Sequence, residues 1–560
     1  MNPDTLTAQA LLNCLVREVS GPENQTRETE GHLIVRLARS DRLLRAQARR
    51  RSAGLGPRLT GEAEVRADGI WRPIAWEQLA RLIAEELTLA TGVTNDEFTV
   101  QVSSSHAAID EIIRARQAGP RAPHAAPPHL ERYLASEQSL VAGHRFHPAP
   151  KAREGDARDW LSFAPEARTR FPLRFLAVRR DVLDTDGDTT ALDRLGAPVP
   201  PPGYEALPAH PWQLRLMAKR PWLTQAFSDG LLIDLGTGTT EVAPTSSVRT
   251  VYSPSADIFC KFSLNVRITN CVRKNSWYEL AGSVALTNLL GPVFDDLALR
   301  FPGTVLLTEP GYRTVSLPAT EAAENLSVIV RDGFGACLAP DVTPVLAASL
   351  TEPPDLGSGN PLDGRDPDWL LGWWDAYLRK VAPPVLHALF VHGVVLEPHL
   401  QNVLVGLDAG GLPAQAIFRD LEGVKLLPAH HDALLTTLKP GVARALAYEP
   451  AHGWNRVAYC LFVNHLAEIA AAVADRHPHL EDKLEADLWR RAHDVLTEFA
   501  RDHGWPPRLR ATLVGVPIPA KANLRLRWAR AADREATYLS VRNPLSVDAS
   551  AWSREVAVPC

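Results

Sequence analysis

Apolar and polar positions along this chain follow more than one period. Leu6, Leu11, Leu12, Leu15 and Val19 recur at helical spacing, as do Trp76, Leu79, Leu82, Ile83 and Leu87, so the N-terminal region reads as largely helical. The Arg-rich stretch 42–51 between them reads as a solvated helix face or loop rather than a nucleic-acid arm. From Phe259 onward the period changes to two. Apolar Cys260, Phe262, Leu264, Val266 and Ile268 alternate with polar Lys261, Ser263, Asn265, Arg267 and Thr269, which predicts a strand or hairpin with one basic face ending near Arg273. Trp373, Trp374, Tyr377, Leu378 and Val381 predict a helix that Pro383 and Pro384 interrupt before Leu386, Leu389 and Phe390 resume it. Val403–Val405 and Ala416–Phe418, separated by a Gly-Gly turn, read as strand, turn, strand. Residues 480–500 form an amphipathic helix whose apolar side suits either an internal core or a dimer interface. Pro-rich or polar connectors at 118–131, 196–208 and 351–368 divide the chain, and no internal repeat is present.

Length makes this a multi-domain problem: 560 residues exceed the size at which one core stops growing. With 45% hydrophobic and 22% charged residues the composition is that of a globular protein. A net charge of -5 gives no cationic field for a nucleic-acid partner, so any basic site is local. Six scattered cysteines without a C-x-x-C pair point to reduced thiols. The N-terminus fails as a signal peptide and no long unbroken apolar run suggests a membrane span, so the expected location is the cytoplasm, with no membrane partner.

Local concentrations of anion-binding side chains do occur. GHRFHPAPK carries His144, His147 and Lys151, with Arg153 following; its prolines make it a loop, better suited to a carboxylate than to zinc. PTSSVRT offers Ser246, Ser247, Arg249 and Thr250, and Lys261 follows, all donors suited to phosphoryl oxygens. GTGTT at 236–240 is glycine-rich but lacks phosphate-loop spacing. An unbroken strand would hold Lys261 and Arg273 roughly 40 Å apart, so the element bends or the two cations serve different ligands. EPHLQN supplies Glu397, His399, Gln401 and Asn402 just before one predicted strand, and RDLEG supplies Asp420 at the end of the next. Oxygen ligands at adjacent strand ends fit Mg²⁺ shared with nucleotide phosphates, as in small-molecule kinases. Yet Val394 and Val395 follow His392-Gly393 where a kinase would have its base. Lys521, Arg525 and Arg527 share one face if KANLRLRW is a strand, and alone read as a solvated edge.

GHRFHPAPK, HPWQ, PTSSVRT, KFSLNVRITNCVR, EPHLQN, RDLEG and KANLRLR stand in the order seen in the IucA/IucC family of NRPS-independent siderophore synthetases, which includes aerobactin synthetase, and the chain resembles that family over about residues 135 to 545. The resemblance implies an α+β fold with three domains arranged as a cupped hand: a helical thumb (1–135), a fingers domain (136–385) and a kinase-like palm with an antiparallel sheet (386–560). It implies a ligase that uses ATP and Mg²⁺ to adenylate a carboxylate of citrate or a related acid, then passes the acyl group to an amine or alcohol. Ser247, Arg249, Thr250, Lys261, His399, Gln401, Asn402 and Asp420 would hold ATP, and Glu397 and Asp420 the metal. His144, Lys151, Thr269, Arg273 and Arg527 would surround the acid, with Arg273, His399 and Lys261 the catalytic set. His399 stands as a general base by elimination only, and a homodimer is expected. The competing readings are a small-molecule kinase and a non-catalytic nucleotide- or siderophore-binding protein.

Overall fold

Leu33, Val35 and Leu37 are buried while His32, Ile34 and Arg36 between them are partly or fully exposed, the period-two signature of a half-covered strand. The computed structural model describes residues 2–546 apart from 49–54, 57, 120–125, 156, 269–270, 320, 353–358, 481 and 532–536. The N-terminal region is therefore not largely helical. Its helices Pro3–Leu15, Trp76–Thr91 and Asp96–Gln117 pack on a five-stranded antiparallel meander running from Thr26–Thr29 to Ile70–Ile74. The described part of the Arg-rich stretch is the third strand, Arg42–Ala48, on which Arg45 pairs across to Glu64 at 2.5 Å. Arginines there obscured the strand because alternate positions face solvent.

A second, fully antiparallel sheet has eight strands, with Ile258–Phe262 and Thr250–Ser253 near its middle. Their register sets Thr250 opposite Lys261. Residues 236–240 lie within its long strand Leu232–Pro244, so the glycine-rich run is sheet and not a phosphate loop. Beyond Phe262 the alternating segment folds into a hairpin, Leu264–Ile268 against Cys271–Arg273, which pairs Arg273 with Leu264. That turn resolves the separation a straight strand would impose: Arg273 returns to within three positions of Lys261 along the strand direction.

The third sheet orders Thr304–Leu306, Pro413–Phe418, Val403–Leu407 and Thr343–Leu346. The predicted strand-turn-strand is its centre, and one outer pairing, Thr304–Leu306 on Pro413–Phe418, is parallel. Helices Trp277–Arg300, Pro367–Phe390 and Lys483–Asp502 share the largest core with it. Pro383 and Pro384 do not interrupt the second of these. Val381, Val385 and Leu386 are fully buried around them, and that packing outweighs the two absent N–H donors. Position 385, where the sequence suggests a boundary, lies inside this helix. The amphipathic helix packs internally: Leu488, Trp489 and Leu496 are buried in the same core, and Trp374 Nε1 donates to the Leu488 carbonyl at 2.7 Å.

Among the described residues one helix, Pro450–Ala474, is long and apolar enough to cross a membrane, and 89% of its apolar window is buried inside the molecule. It is a core helix, interrupted at Tyr459–Leu466 by a π-helical stretch. KANLRLRW is not one strand. Lys521 ends the strand Ile518–Lys521, and Arg527 sits in the short helix Asn523–Trp528, buried against the N-terminal region.

Candidate functional site

The turn Thr245–Arg249 sits between strands Leu232–Pro244 and Thr250–Ser253 and holds an unusual backbone. Val248 adopts φ +68, a left-handed conformation that a β-branched residue takes only when its surroundings impose it. Thr245 enforces it, its carbonyl accepting from Val248 N while its hydroxyl donates to the Thr250 carbonyl. Ser247 Oγ donates to Thr250 Oγ1 at 3.0 Å, aligning both hydroxyls.

Arg249, entering the sheet from this turn, donates to Asn275 Oδ1 at 2.7 Å and to Glu422 Oε2 at 2.5 Å. Lys261, one strand over, donates to Asp420 Oδ1 at 2.5 Å and approaches Glu422 at 3.1 Å. Arg331, on the next strand, bonds Glu309 at 2.6 Å and reaches Asp420 at 3.3 Å. Three adjacent strands of the large sheet thus aim cations at the loop that follows the third sheet's central strand. Burial opposes ionisation of Asp420, but Lys261, Arg331 and Arg249 hold its carboxyl well below the usual range. Asp420 itself has φ +77, the second strained residue of the site.

The EPHLQN loop docks on the same turn. Gln401 Nε2 donates to Ser246 Oγ at 3.2 Å, and Asn402 Nδ2 to the Glu397 carbonyl at 3.2 Å. Arg419 donates to the Gln401 carbonyl at 2.8 Å and to Glu137 at 2.5 Å, while the other oxygen of Glu137 accepts from Ser246 N at 2.9 Å. Burial pushes the His399 imidazole down, against the opposing effect of Glu397 and Asp420 nearby. Its Nδ1 accepts from Gln401 N at 3.2 Å, which leaves the proton on Nε2. His399 thus presents an Nε2–H donor suited to phosphate.

Glu397 and Asp420 are paired with different cations in this arrangement, Arg456 for the one and Lys261 and Arg331 for the other. Glu397 bonds Arg456 at 2.7 Å, and its carboxylate lies against Gly423, where any β-carbon would come within 2.2 Å of Oε2. That glycine lets the carboxylate approach the loop headed by Asp420. The donors gathered there, Glu397, Asp420 and the Asn402 amide, are oxygen-bearing and fit a hard divalent cation.

The GHRFHPAPK loop is a neighbouring but separate network. Lys151 and Arg153 both bind buried Glu166, Arg153 at 2.9 Å. His147 caps its own loop, Nδ1 accepting from Ala149 N at 3.1 Å. His144 faces Asn464, Nε2 to Nδ2 at 2.8 Å, and Asn464 Oδ1 accepts from Leu400 N at 3.2 Å. One amide therefore joins this loop to the EPHLQN loop. Arg527 Nε donates to Gln101 at 2.9 Å, and one turn along that helix Ser104 Oγ donates to the Arg153 carbonyl at 3.0 Å. Thr269 lies outside the described residues. Arg273 stands at the end of its hairpin, half-buried.

Glu422, Glu309, Arg331, Glu137, Arg419, Arg456 and Asn464 all belong to the site without having been singled out. Glu422 and Arg419 lay inside the RDLEG motif, and Arg456 and Asn464 were polar residues in an apolar helix, signals that were available. Arg331 sits in an ordinary sheet strand and Glu309 in the short link between two strands, and neither carried one. His392 points away from this site, toward Asp296 at 2.9 Å.

Two family models match the chain: the IucA / IucC family over residues 132–352 and the ferric iron reductase FhuF-like transporter over residues 372–536. The L-2,3-diaminopropanoate–citrate ligase of Staphylococcus aureus is 32% identical over 426 residues, covering 70% of this chain and 71% of that protein. The rhizobactin siderophore biosynthesis protein RhbC of Rhizobium meliloti is 30% identical over 97% of this chain and 98% of its own. Among solved structures, ATP-bound aerobactin synthetase IucA from Klebsiella pneumoniae superposes with a TM-score of 0.83 at 26% identity, covering 97% of this chain and all of that one. The petrobactin biosynthesis protein AsbB of Bacillus anthracis shares the fold, with a TM-score of 0.71 at 19% identity.

Proposed function

Because the chain belongs to the IucA/IucC family, we propose that it is a siderophore-biosynthesis ligase that adenylates a carboxylate of citrate, or of a related acid or its monoamide, and condenses it with an amine or alcohol. The observation that carries this reading is the convergence of Arg249, Lys261 and Arg331 on the Asp420–Glu422 loop. Three cations held by carboxylates are a site prepared to exchange those carboxylates for phosphates.

Ser247, Thr250, His399, Gln401 and Asn402 would complete the ATP contacts, His399 through its Nε2–H. Glu397 and Asp420 would hold Mg²⁺, which neutralises phosphate charge when bound. His144, Lys151, Thr269, Arg273 and Arg527 would receive the acid. In the first step a carboxylate oxygen attacks the α-phosphorus and the bond to pyrophosphate breaks. Lys261 and Arg249 offset the repulsion between the two anions and the charge on the leaving group. In the second step the amine nitrogen attacks the acyl carbon and AMP departs. Fixing both reactants in contact is worth on the order of 7–11 kcal/mol in well-aligned cases, so no protein nucleophile is required.

The division into thumb (1–135), fingers (136–385) and palm (386–560) of a cupped hand belongs to the same proposal, with helix Pro367–Phe390 running across the boundary between the last two. So does a homodimer, which would have to use a surface other than helix Lys483–Asp502, since its apolar side is already covered.

The test is hydroxamate formation from hydroxylamine across a panel of acids, with nucleotide products separated by chromatography. Citrate-dependent hydroxamate with AMP and pyrophosphate is expected. ADP and inorganic phosphate as products would overturn the reading in favour of a kinase.

A further inference from the structure

Away from the nucleotide site, Asp296, His387 and His392 bring one ligand atom each to within 4.8 Å of one another. They come from different elements: Asp296 from helix Trp277–Arg300, His387 from helix Pro367–Phe390, and His392 from the turn just beyond it. Asp296 Oδ2 lies 3.1 Å from His387 Nε2 and 2.9 Å from His392 Nε2. Ligand atoms about 2.0–2.1 Å from a common ion are separated by roughly 2.9–3.4 Å, so these spacings are those of a coordination sphere.

Hydrogen-bond direction sharpens the point. His503 Nδ1 donates to the Phe499 carbonyl at 2.9 Å, which leaves Nε2 as its acceptor. That Nε2 lies 2.8 Å from His387 Nδ1, which therefore carries the proton between them. The lone pair of His387 is then on Nε2, aimed at a carboxylate oxygen that is also an acceptor. A second proton on His387 would fill this one gap, but a second imidazole nitrogen, His392 Nε2, converges on the same oxygen. A single cation among the three atoms satisfies all of them at once.

The outer contacts are those of a supported site. Arg300 Nε occupies the other carboxylate oxygen, Oδ1, at 2.8 Å, and leaves Oδ2 directed at the histidines. His503 fixes the ring of His387, and the His392 carbonyl accepts from His431 Nε2 at 2.7 Å. The His503 contact is of the kind that orients a metal-binding imidazole. His387 is 3% exposed, whereas His392 and Asp296 are 24% and 26% exposed, so one side stays open to water or another ligand.

From this geometry we infer that Asp296, His387 and His392 bind a divalent first-row transition-metal ion, with His503 as a positioning residue. Two imidazoles and one carboxylate with open positions suit Zn²⁺, Fe²⁺ or Co²⁺ better than Mg²⁺. None of the three belongs to the set assigned to ATP and Mg²⁺. The ion would tie helix Trp277–Arg300 to the end of helix Pro367–Phe390 and to the segment that leads into the EPHLQN loop.

Co²⁺ is the probe, because its visible d–d absorption reports ligand geometry. Full-length protein stripped with a chelator and dialysed against micromolar Co²⁺ is expected to bind one equivalent with a visible spectrum. His392→Ala and Asp296→Asn should abolish it, His503→Ala should weaken it about 10–100-fold, and His479→Ala should leave it unchanged. Absence of bound Co²⁺, or an unaltered spectrum in His392→Ala, overturns the inference. If the variants fail to fold, X-ray absorption fine structure of cobalt-loaded wild type decides: two imidazole scatterers support the site, and one or none overturns it.

Discussion

Arg419 and Glu137, 282 residues apart in sequence, form a buried ion pair at 2.5 Å that fastens three motifs together. Arg419 also holds the Gln401 carbonyl, and Glu137 also holds Ser246 N, so the turn Thr245–Arg249 and the EPHLQN loop meet through one pair of charges. Removing one partner leaves the other uncompensated in the interior. Glu137→Gln is expected to destabilise the protein by about 3–5 kcal/mol, read as a lower urea midpoint. A midpoint equal to wild type would show that the pair is dispensable.

Lys261 offers the sharpest catalytic test. Its ammonium is 3% exposed and faces two carboxylates that nucleotide phosphates would replace. Lys261→Met should lower acid-dependent pyrophosphate release by about 10²–10³-fold, the range for loss of one transition-state donor. Asp420→Asn should fall similarly and should no longer respond to added Mg²⁺. Wild-type turnover in either variant would remove the loop from the reaction.

Glu166 gives the pH dependence. Burial raises its pKa, but Arg153 and Lys151 more than offset that and hold it at about 2, against 4.5 for a free glutamate. A carboxyl depressed on folding contributes stability that is complete above about pH 4.5 and is lost as pH falls toward 2. The loss is on the order of 3 kcal/mol. Urea melts at pH 7, 4 and 3 should show wild type weakening over this interval. Glu166→Gln should be weaker at pH 7 and flatter below.

Asn464 joins the loop that would hold the acid to the loop that would hold the nucleotide. Asn464→Leu removes its side-chain bonds to His144 and Leu400 while keeping its volume. We expect kcat/KM for the acid to fall about tenfold, corresponding to roughly 1.4 kcal/mol, with the KM for ATP changed much less. Equal effects on both substrates would mean the amide serves folding alone.

The sequence made the chemistry more legible than the architecture. Arg249, Lys261, His399 and Asp420 stand in short motifs where charged side chains are dense, and the fold gathers them. Glu309 and Arg331 escaped because one stands in a link between strands and the other on a strand, and the fold, not the local pattern, makes them neighbours. The N-terminal meander was readable in principle from Leu33, Val35 and Leu37, but stronger helical periods on either side dominated the reading. Pro383 and Pro384 misled for the opposite reason: their local effect is real, and tertiary packing around Val385 and Leu386 overrides it.

The π-helical stretch Tyr459–Leu466 sets the rotational phase of two side chains at once. Asn464 contacts His144 and Leu400, while His465 bonds the Pro398 carbonyl at 2.8 Å and the hydroxyl of Tyr377. A residue in a regular helix advances about 100° from the last. Deleting one residue between 459 and 463, if the stretch does not absorb it, would turn both side chains by about that angle against the preceding turns, with every contacting amino acid still present. The grip on the EPHLQN loop is thus encoded in chain length as much as in residue identity, so a one-residue gap here would alter the protein more than many substitutions.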